Sequence, residues 1–198
     1  RFRRHGVGRI PRLAKKRELG YQWAGNPSGM DNTPRGGRLS HFRILWLDLL
    51  AQQGLSARLI AKMAKVLKQL DLAGEYSRHH EEIKAIMNGY YWNEEDGIYY
   101  DIKKRNPEHH VEIKTPASYW PLLADMCDES QATRLAEKAR DPNCFGGDPP
   151  WPSVSRDDPD YHPEGMYWRG GVWLPMAYMA TKALERHGHQ ELADRNAE

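Results

Sequence analysis

The apolar positions of this chain change their period several times, and each change marks an element. From Leu39 to Leu70, positions Leu45, Leu49, Gln52, Gln53, Ile60, Ala64 and Leu67 recur at spacings of three and four. That is the period of one helix face. Gly54 falls inside this run and is expected to bend or divide the helix. A second helix is predicted over 73–91, with Asn88-Gly89 as its stop signal. The period then shortens: Asn93-Glu94-Glu95-Asp96-Gly97 is turn material, and Ile98-Tyr99-Tyr100-Asp101-Ile102 reads as a strand. Val111-Glu112-Ile113 is its expected hairpin partner across a polar loop. Two helices are predicted near 116–126 and 129–139, then a long loop over 141–170 rich in Pro, Gly and Asp. Residues 171–187 are helical again until Gly188, and the last residues begin a further helix. Ahead of all this, residues 1–19 read as one basic helix after Pro11, and residues 20–38 as loop. The sum is an all-α fold of helical hairpins with a small β-hairpin insertion, in a single domain over 1–198. Hairpins in series can close into a toroid whose loops at one end face a ligand.

Composition narrows the function classes. The 198 residues carry 29 Lys+Arg against 27 Asp+Glu, without the basic excess of a nucleic-acid binder. The early cluster Arg1, Arg3, Arg4, Arg9, Arg12, Lys15, Lys16 and Arg17 reads as a solvated face, with phosphate or partner binding as the alternative. Seven Trp and ten Tyr stand against three Phe, which leans toward a wet, aromatic-lined groove. Cys127 and Cys144 lie outside any CxxC pair and read as reduced thiols. No apolar stretch is long enough to span a membrane, and no signal-peptide core opens the chain. The expected compartment is therefore cytoplasmic or periplasmic, with no membrane partner.

Three segments carry candidate chemistry. The first is Ser28-Gly29-Met30-Asp31-Asn32-Thr33-Pro34-Arg35, a segment that resists helix and strand and presents one carboxylate. Glycoside hydrolysis needs a protonated carboxylic acid beside the glycosidic oxygen and a second carboxyl group across the bond. A loop carboxylate beside apolar rings such as Trp23 is poorly solvated, so Asp31 is expected to hold its proton more readily. The alternative is an Asx turn or a helix cap. The second segment is Tyr167-Trp168-Arg169-Gly170-Gly171-Val172-Trp173, whose rings can stack on sugar and whose guanidinium can bond hydroxyls. An aromatic plug at a helix start is the competing reading. The third, Phe145-Gly146-Gly147, lets backbone approach a ligand or another loop and lacks a nucleotide-binding context. The acidic stretch Glu94–Asp101 lacks the EF-hand pattern and reads as a turn, so no metal site and no cofactor is expected. His79-His80 and His109-His110 read as surface residues.

In order along the chain, seven segments resemble the catalytic domain of glycoside hydrolase family 63. They are the octet 28–35, Ala51-Gln-Gln53, Tyr91-Trp92 with Gly97-Ile-Tyr-Tyr-Asp101, Ser118-Tyr-Trp-Pro-Leu122, Phe145-Gly-Gly147, Asp157-Asp-Pro159 and Tyr167–Trp173. That family includes processing α-glucosidases and mannosylglycerate hydrolases and is distantly similar to the trehalases. The resemblance implies an (α/α)6 toroid, of which this chain holds part, and hydrolysis with inversion. It implies Asp31 as general acid. It implies Trp23, Ser28, Gly29, Arg35, Trp120, Gly147, Tyr167, Trp168, Arg169 and Trp173 as substrate-binding residues. The family's water-activating Glu lies in a motif beyond the Tyr-Trp-Arg-Gly helix and has no counterpart in these 198 residues. The implied partners are a small carbohydrate, and a second copy or the remainder of the same chain to cover an open toroid. The competing expectation is a toroid fragment that binds carbohydrate without cleaving it.

Overall fold

The structure is a computed structural model that describes residues 14–23, 29–36 and 43–197. The expected helix onset after Pro11 lies largely outside these residues. Where they begin, the chain is a hairpin instead: β1 (Ala14–Arg17) pairs antiparallel with β2 (Gly20–Trp23). Lys15, Lys16 and Arg17 thus belong to a strand, and part of the expected 20–38 loop is a strand as well. Tertiary docking explains the difference, since the Trp46 N–H donates to the Tyr21 carbonyl at 3.0 Å and the Tyr91 hydroxyl donates to the Leu19 carbonyl at 2.8 Å.

The first long helix starts later than its periodicity suggested. β3 (Ile44–Leu45) occupies the expected first turns and pairs with β6 (Asp101–Lys103). Ile44 and Trp46 are fully buried there, so packing overrides helical spacing. α1 (Leu47–Val66) then runs unbroken through Gly54. A Cβ at Gly54 would lie 2.0 Å from Met126 Cε and 3.1 Å from Ile83 Cγ2, so the glycine serves a close helix crossing rather than a bend. α2 (Leu70–Ile86) folds back along α1 and continues into a π turn, Met87–Tyr91, that contains the predicted stop. His80 is buried, its Nδ1 3.0 Å from the Gly54 carbonyl, which corrects the surface reading of that residue.

Two further small antiparallel pairs follow. β4 (Trp92–Asn93) pairs with β5 (Ile98–Tyr99) about the acidic turn, and β6 pairs with β7 (Asn106–Val111), earlier in the chain than the expected partner at 111–113. The predicted helix at 116–126 is a 3-10 turn, Pro116–Tyr119, and one α turn, α3 (Trp120–Leu123). α4 (Glu129–Arg140) matches its prediction because Asp128 and Gln131 form a reciprocal capping box. α5 (Leu174–Arg186) and α6 (Gln190–Arg195) complete the described chain. The fold is mostly helical, with three small sheets where one hairpin was expected. No helix among the described residues is long and apolar enough to cross a membrane. Cys127 and Cys144 are free and buried, and burial pushes their thiols up to about 12 and about 11.

One apolar core joins these elements. Leu50, Tyr91, Tyr99, Tyr119, Leu135 and Ala180 bring α1, the π turn, the hairpins, α4 and α5 together. The long loop after α4 is anchored into it by Phe145 and Trp151, which pack about Tyr119 with ring centroids 5.9 and 4.9 Å away. That anchoring delivers the segment 160–173 to its place beside the octet.

Candidate functional site

The octet is held from beneath. Its backbone turns through a Thr33 N–H donation to the Met30 carbonyl at 3.2 Å, then a 3-10 turn, Pro34–Gly36. Arg35 lies inside the protein at 1% exposure and is fully committed. Its Nε and Nη2 donate to Asp101 Oδ2 and Oδ1 at 2.8 and 2.7 Å, Nη1 and Nη2 donate to Asp48 Oδ2 and Oδ1, both at 3.2 Å, and Nη1 also donates to Met30 Sδ at 3.6 Å. The guanidinium also sits 4.7 Å from the Trp46 ring centroid. Burial alone would lower its proton affinity, but Asp101 and Asp48 outweigh that and raise it, so the positive charge is secure. One guanidinium serving two buried carboxylates leaves Asp101 pushed up by burial. Arg35 therefore ties the octet to α1 and β6 and has no donor left for a sugar, which corrects its expected place among the substrate ligands.

The octet is also clamped from the side, by residues 134 and 136 positions away. Asn32 Nδ2 donates to the Met166 carbonyl at 2.8 Å, and the Trp168 N–H donates to Asn32 Oδ1 at 2.8 Å. The Tyr167 hydroxyl donates to Asp31 Oδ2 at 3.2 Å. Asp31 is exposed, so the poorly solvated setting expected for it is not made by the described residues. Met166 and Tyr167 hold φ of 29° and 63°, a left-handed conformation that non-glycine residues adopt at a cost.

Behind the carboxylate stands an aromatic wall. Trp168 and Trp173 stack with centroids 4.2 Å apart and planes 3° from parallel, and Tyr167 meets Trp173 edge-on at 4.9 Å. Trp173 Nε1 donates to the Tyr167 carbonyl at 3.1 Å. Trp168 is 9% exposed and Trp173 half-buried, whereas Tyr167 is 51% exposed, so the wall presents a phenol to solvent above packed indoles. Arg169 sits one residue further, bridged to Asp160 at 2.8 Å. The double glycine at 170–171 is required by close approach: a Cβ on Gly170 would lie 2.1 Å from the His162 carbonyl oxygen.

The structure thus brings Asp31, Tyr167, Trp168 and Trp173 together. Gly29, the first described residue of the octet, holds φ 75°, and no described residue would crowd a Cβ there. Ser28 lies outside the described residues. Trp23 ends β2 and packs against the buried cluster of Ile44, Trp46 and Leu49. Trp120 packs on the main core, and Gly147 makes room for Arg156. In the same loop, burial pushes Asp157 up but Lys114 and Ser155 overcome it and hold it below the usual range, whereas burial raises Asp158. Both serve loop order. Asn32, Asp48 and Asp101 are the residues that sequence reasoning passed over. For the two acids a signal existed: each interrupts an apolar run, and a buried carboxylate requires a buried cation.

The site is thus a carboxylate loop clamped to an aromatic wall, carried on a mostly helical frame. The comparisons with known proteins supply the assignment. Residues 12–198 match the family described as the mannosylglycerate hydrolase MGH1-like glycoside hydrolase domain, and the chain belongs to that family. It is similar to mannosylglycerate hydrolase of Thermus thermophilus, 32% identical over 108 residues, covering 52% of this chain and 24% of that protein. It is similar also to mannosyl-oligosaccharide glucosidase of Saccharomyces cerevisiae, 25% identical over 186 residues, covering 88% of this chain and 22% of that protein. At the level of fold it resembles the crystal structure of the GH63 mannosylglycerate hydrolase from Thermus thermophilus in complex with glucose. The TM-score is 0.74 at 24% identity, over 85% of this chain and 50% of that one. The chain spans about a quarter of the length of these two curated relatives.

Proposed function

We propose that this chain carries the acid half of an inverting α-glycosidase site, within a partial (α/α)6 toroid. Asp31 protonates the leaving oxygen of an α-glycosidic bond. A water on the opposite face of the sugar is activated by a carboxylate from outside these 198 residues. Trp168 and Trp173, with Tyr167, form the wall of the glycone pocket, and Arg169 reaches its hydroxyls. Trp23, Ser28, Gly29, Trp120 and Gly147 are outer members of the set, and Arg35 supports the acid loop from below. The substrate is an oligosaccharide or small glycoside, α-glucosidase-like in linkage, in keeping with the names of the relatives. The observation that carries this reading is the Tyr167–Asp31 hydrogen bond at 3.2 Å, which sets the octet's carboxylate against the aromatic wall.

The test compares Asp31→Asn with the parent, in the full-length protein, on an aryl α-glycoside and on a disaccharide with a poor leaving group. Loss of a general acid should cost about two to four powers of ten, most for the poor leaving group. Equal and small losses on both would remove Asp31 from the role.

A second reading is that the 198 residues alone bind carbohydrate without cleaving it, favoured by the quarter-length coverage of the relatives. Calorimetry with glucose, trehalose and mannosylglycerate separates the two, since this reading requires heat of binding without turnover.

A further inference from the structure

The side chain of Asn32 spans two loops that meet nowhere near each other in sequence, and it does so at the residue next to Asp31. Its carboxamide gives one donor to the Met166 carbonyl and takes one hydrogen from the Trp168 N–H, both at 2.8 Å. This is a two-point backbone grip of the kind a neighbouring strand makes, supplied here by a side chain. The gripped tripeptide holds Met166 and Tyr167 at positive φ, so its conformation needs outside support. Between the two gripped groups lies Tyr167, whose hydroxyl reaches Asp31.

We propose that Asn32 is a positioning residue for the glycosidase reaction: it fixes the tripeptide 166–168 so that Asp31 and the Trp168–Trp173 wall keep one register. The proposal rests on the reading of Asp31 as general acid. A turn residue alone would not require Asn at this point, because Ser also favours turns. What Ser lacks is the reach and the second hydrogen-bonding group.

The discriminating variant is therefore Asn32→Ser in the full-length protein, measured beside Asp31→Asn. A misplaced acid costs on the order of a hundredfold when displaced by about 1 Å. Asn32→Ser should lower kcat by about 10- to 100-fold, with KM changed by less than about threefold, and the loss should be greater on the poor leaving group. The near-ultraviolet circular dichroism of the stacked tryptophans should change while the far-ultraviolet spectrum is kept. Wild-type kinetics, an equal loss on both substrates, or an unfolded Asn32→Ser protein would each overturn the proposal, the last by making Asn32 a stability residue. If Asp31→Asn proves fully active, the acid reading falls on its own. The near-ultraviolet change in Asn32→Ser then still reports the grip, so the two failures are read apart.

Discussion

Arg35 and Asp101 meet through two parallel hydrogen bonds, 2.8 and 2.7 Å long, across 66 residues of sequence, with both side chains at 1% exposure. This pair, with Asp48, is the floor beneath the octet. Removing the cation leaves two buried carboxylates without a countercharge, each keeping among the described residues only a backbone N–H donor, from Leu47 to Asp101 and from Leu49 to Asp48. Arg35→Ala should therefore lower stability by about 3–5 kcal/mol, read from urea denaturation midpoints. A loss under about 1 kcal/mol would show that the floor relaxes or admits water.

Two glycines test close packing in opposite ways. A Cβ at Gly146 would lie 2.5 Å from the carbonyl oxygens of both Ala139 and Arg140, backbone atoms at the end of α4 that cannot step aside. At Gly54 the closest obstacle is the mobile tip of Met126. Gly146→Ala should cost about 2–3 kcal/mol by overpacking, whereas Gly54→Ala should cost less, offset by about 1 kcal/mol of helix propensity. Thermal melts of the two variants give the order directly.

Acid should weaken the C-terminal helices. Burial holds both His187 and His189 below the ordinary histidine value of 6.5. The folded state thus binds the proton less readily than the unfolded chain. Their contribution is fully present above pH 6.5 and is lost as pH falls through the lowered folded values. Denaturation midpoints measured from pH 8 down to pH 5 should fall, and the slope should be shallower in His187→Gln. His187 is held by the Leu122 carbonyl at 2.9 Å, which Gln can also reach as a donor.

The stacked indoles give a binding prediction that depends on the proposed function. Aromatic pairs contribute about 0.5–1.5 kcal/mol beyond the area they bury. Trp173→Ala removes one half of the wall while leaving Asp31 in place. KM for a glycoside should rise by about tenfold with kcat changed much less, as expected when uniform binding is lost. A kcat loss with KM unchanged would place Trp173 in the chemical step instead.

What the sequence revealed follows the range of the interactions involved. α4 was legible because its signals are local: Asp128, Gln131 and the apolar face of Leu135, Ala136 and Ala139 lie within one short stretch. The octet was legible as irregular chain because Gly29 and Pro34 act on their own backbone. The start of α1 was misplaced because the burial of Ile44 and Trp46 against β6 and Tyr21 is a tertiary effect. The N-terminal hairpin was missed for the same reason, since Lys15, Lys16 and Arg17 show no alternation of their own. Arg35 was placed among the substrate ligands by the family resemblance alone, and its buried partners, 13 and 66 residues away, could not be read from the octet. Asp31 was singled out by its company in the sequence, and the proximity of Tyr167 and Trp168 to the octet could not be read from a separation of 136 residues.

The grip of Asn32 on residues 166–168 also sets a timetable for the chain. The octet leaves the ribosome before its partner groups, which are 134 and 136 residues behind it. At about 5–20 residues per second, translation leaves the octet waiting on the order of ten seconds for its aromatic wall. During that interval the buried floor under Arg35 can form from residues no later than Asp101, while the wall does not yet exist. A nascent chain stalled between those points would carry the seated octet without the Tyr167 and Trp168 contacts that clamp it from the side.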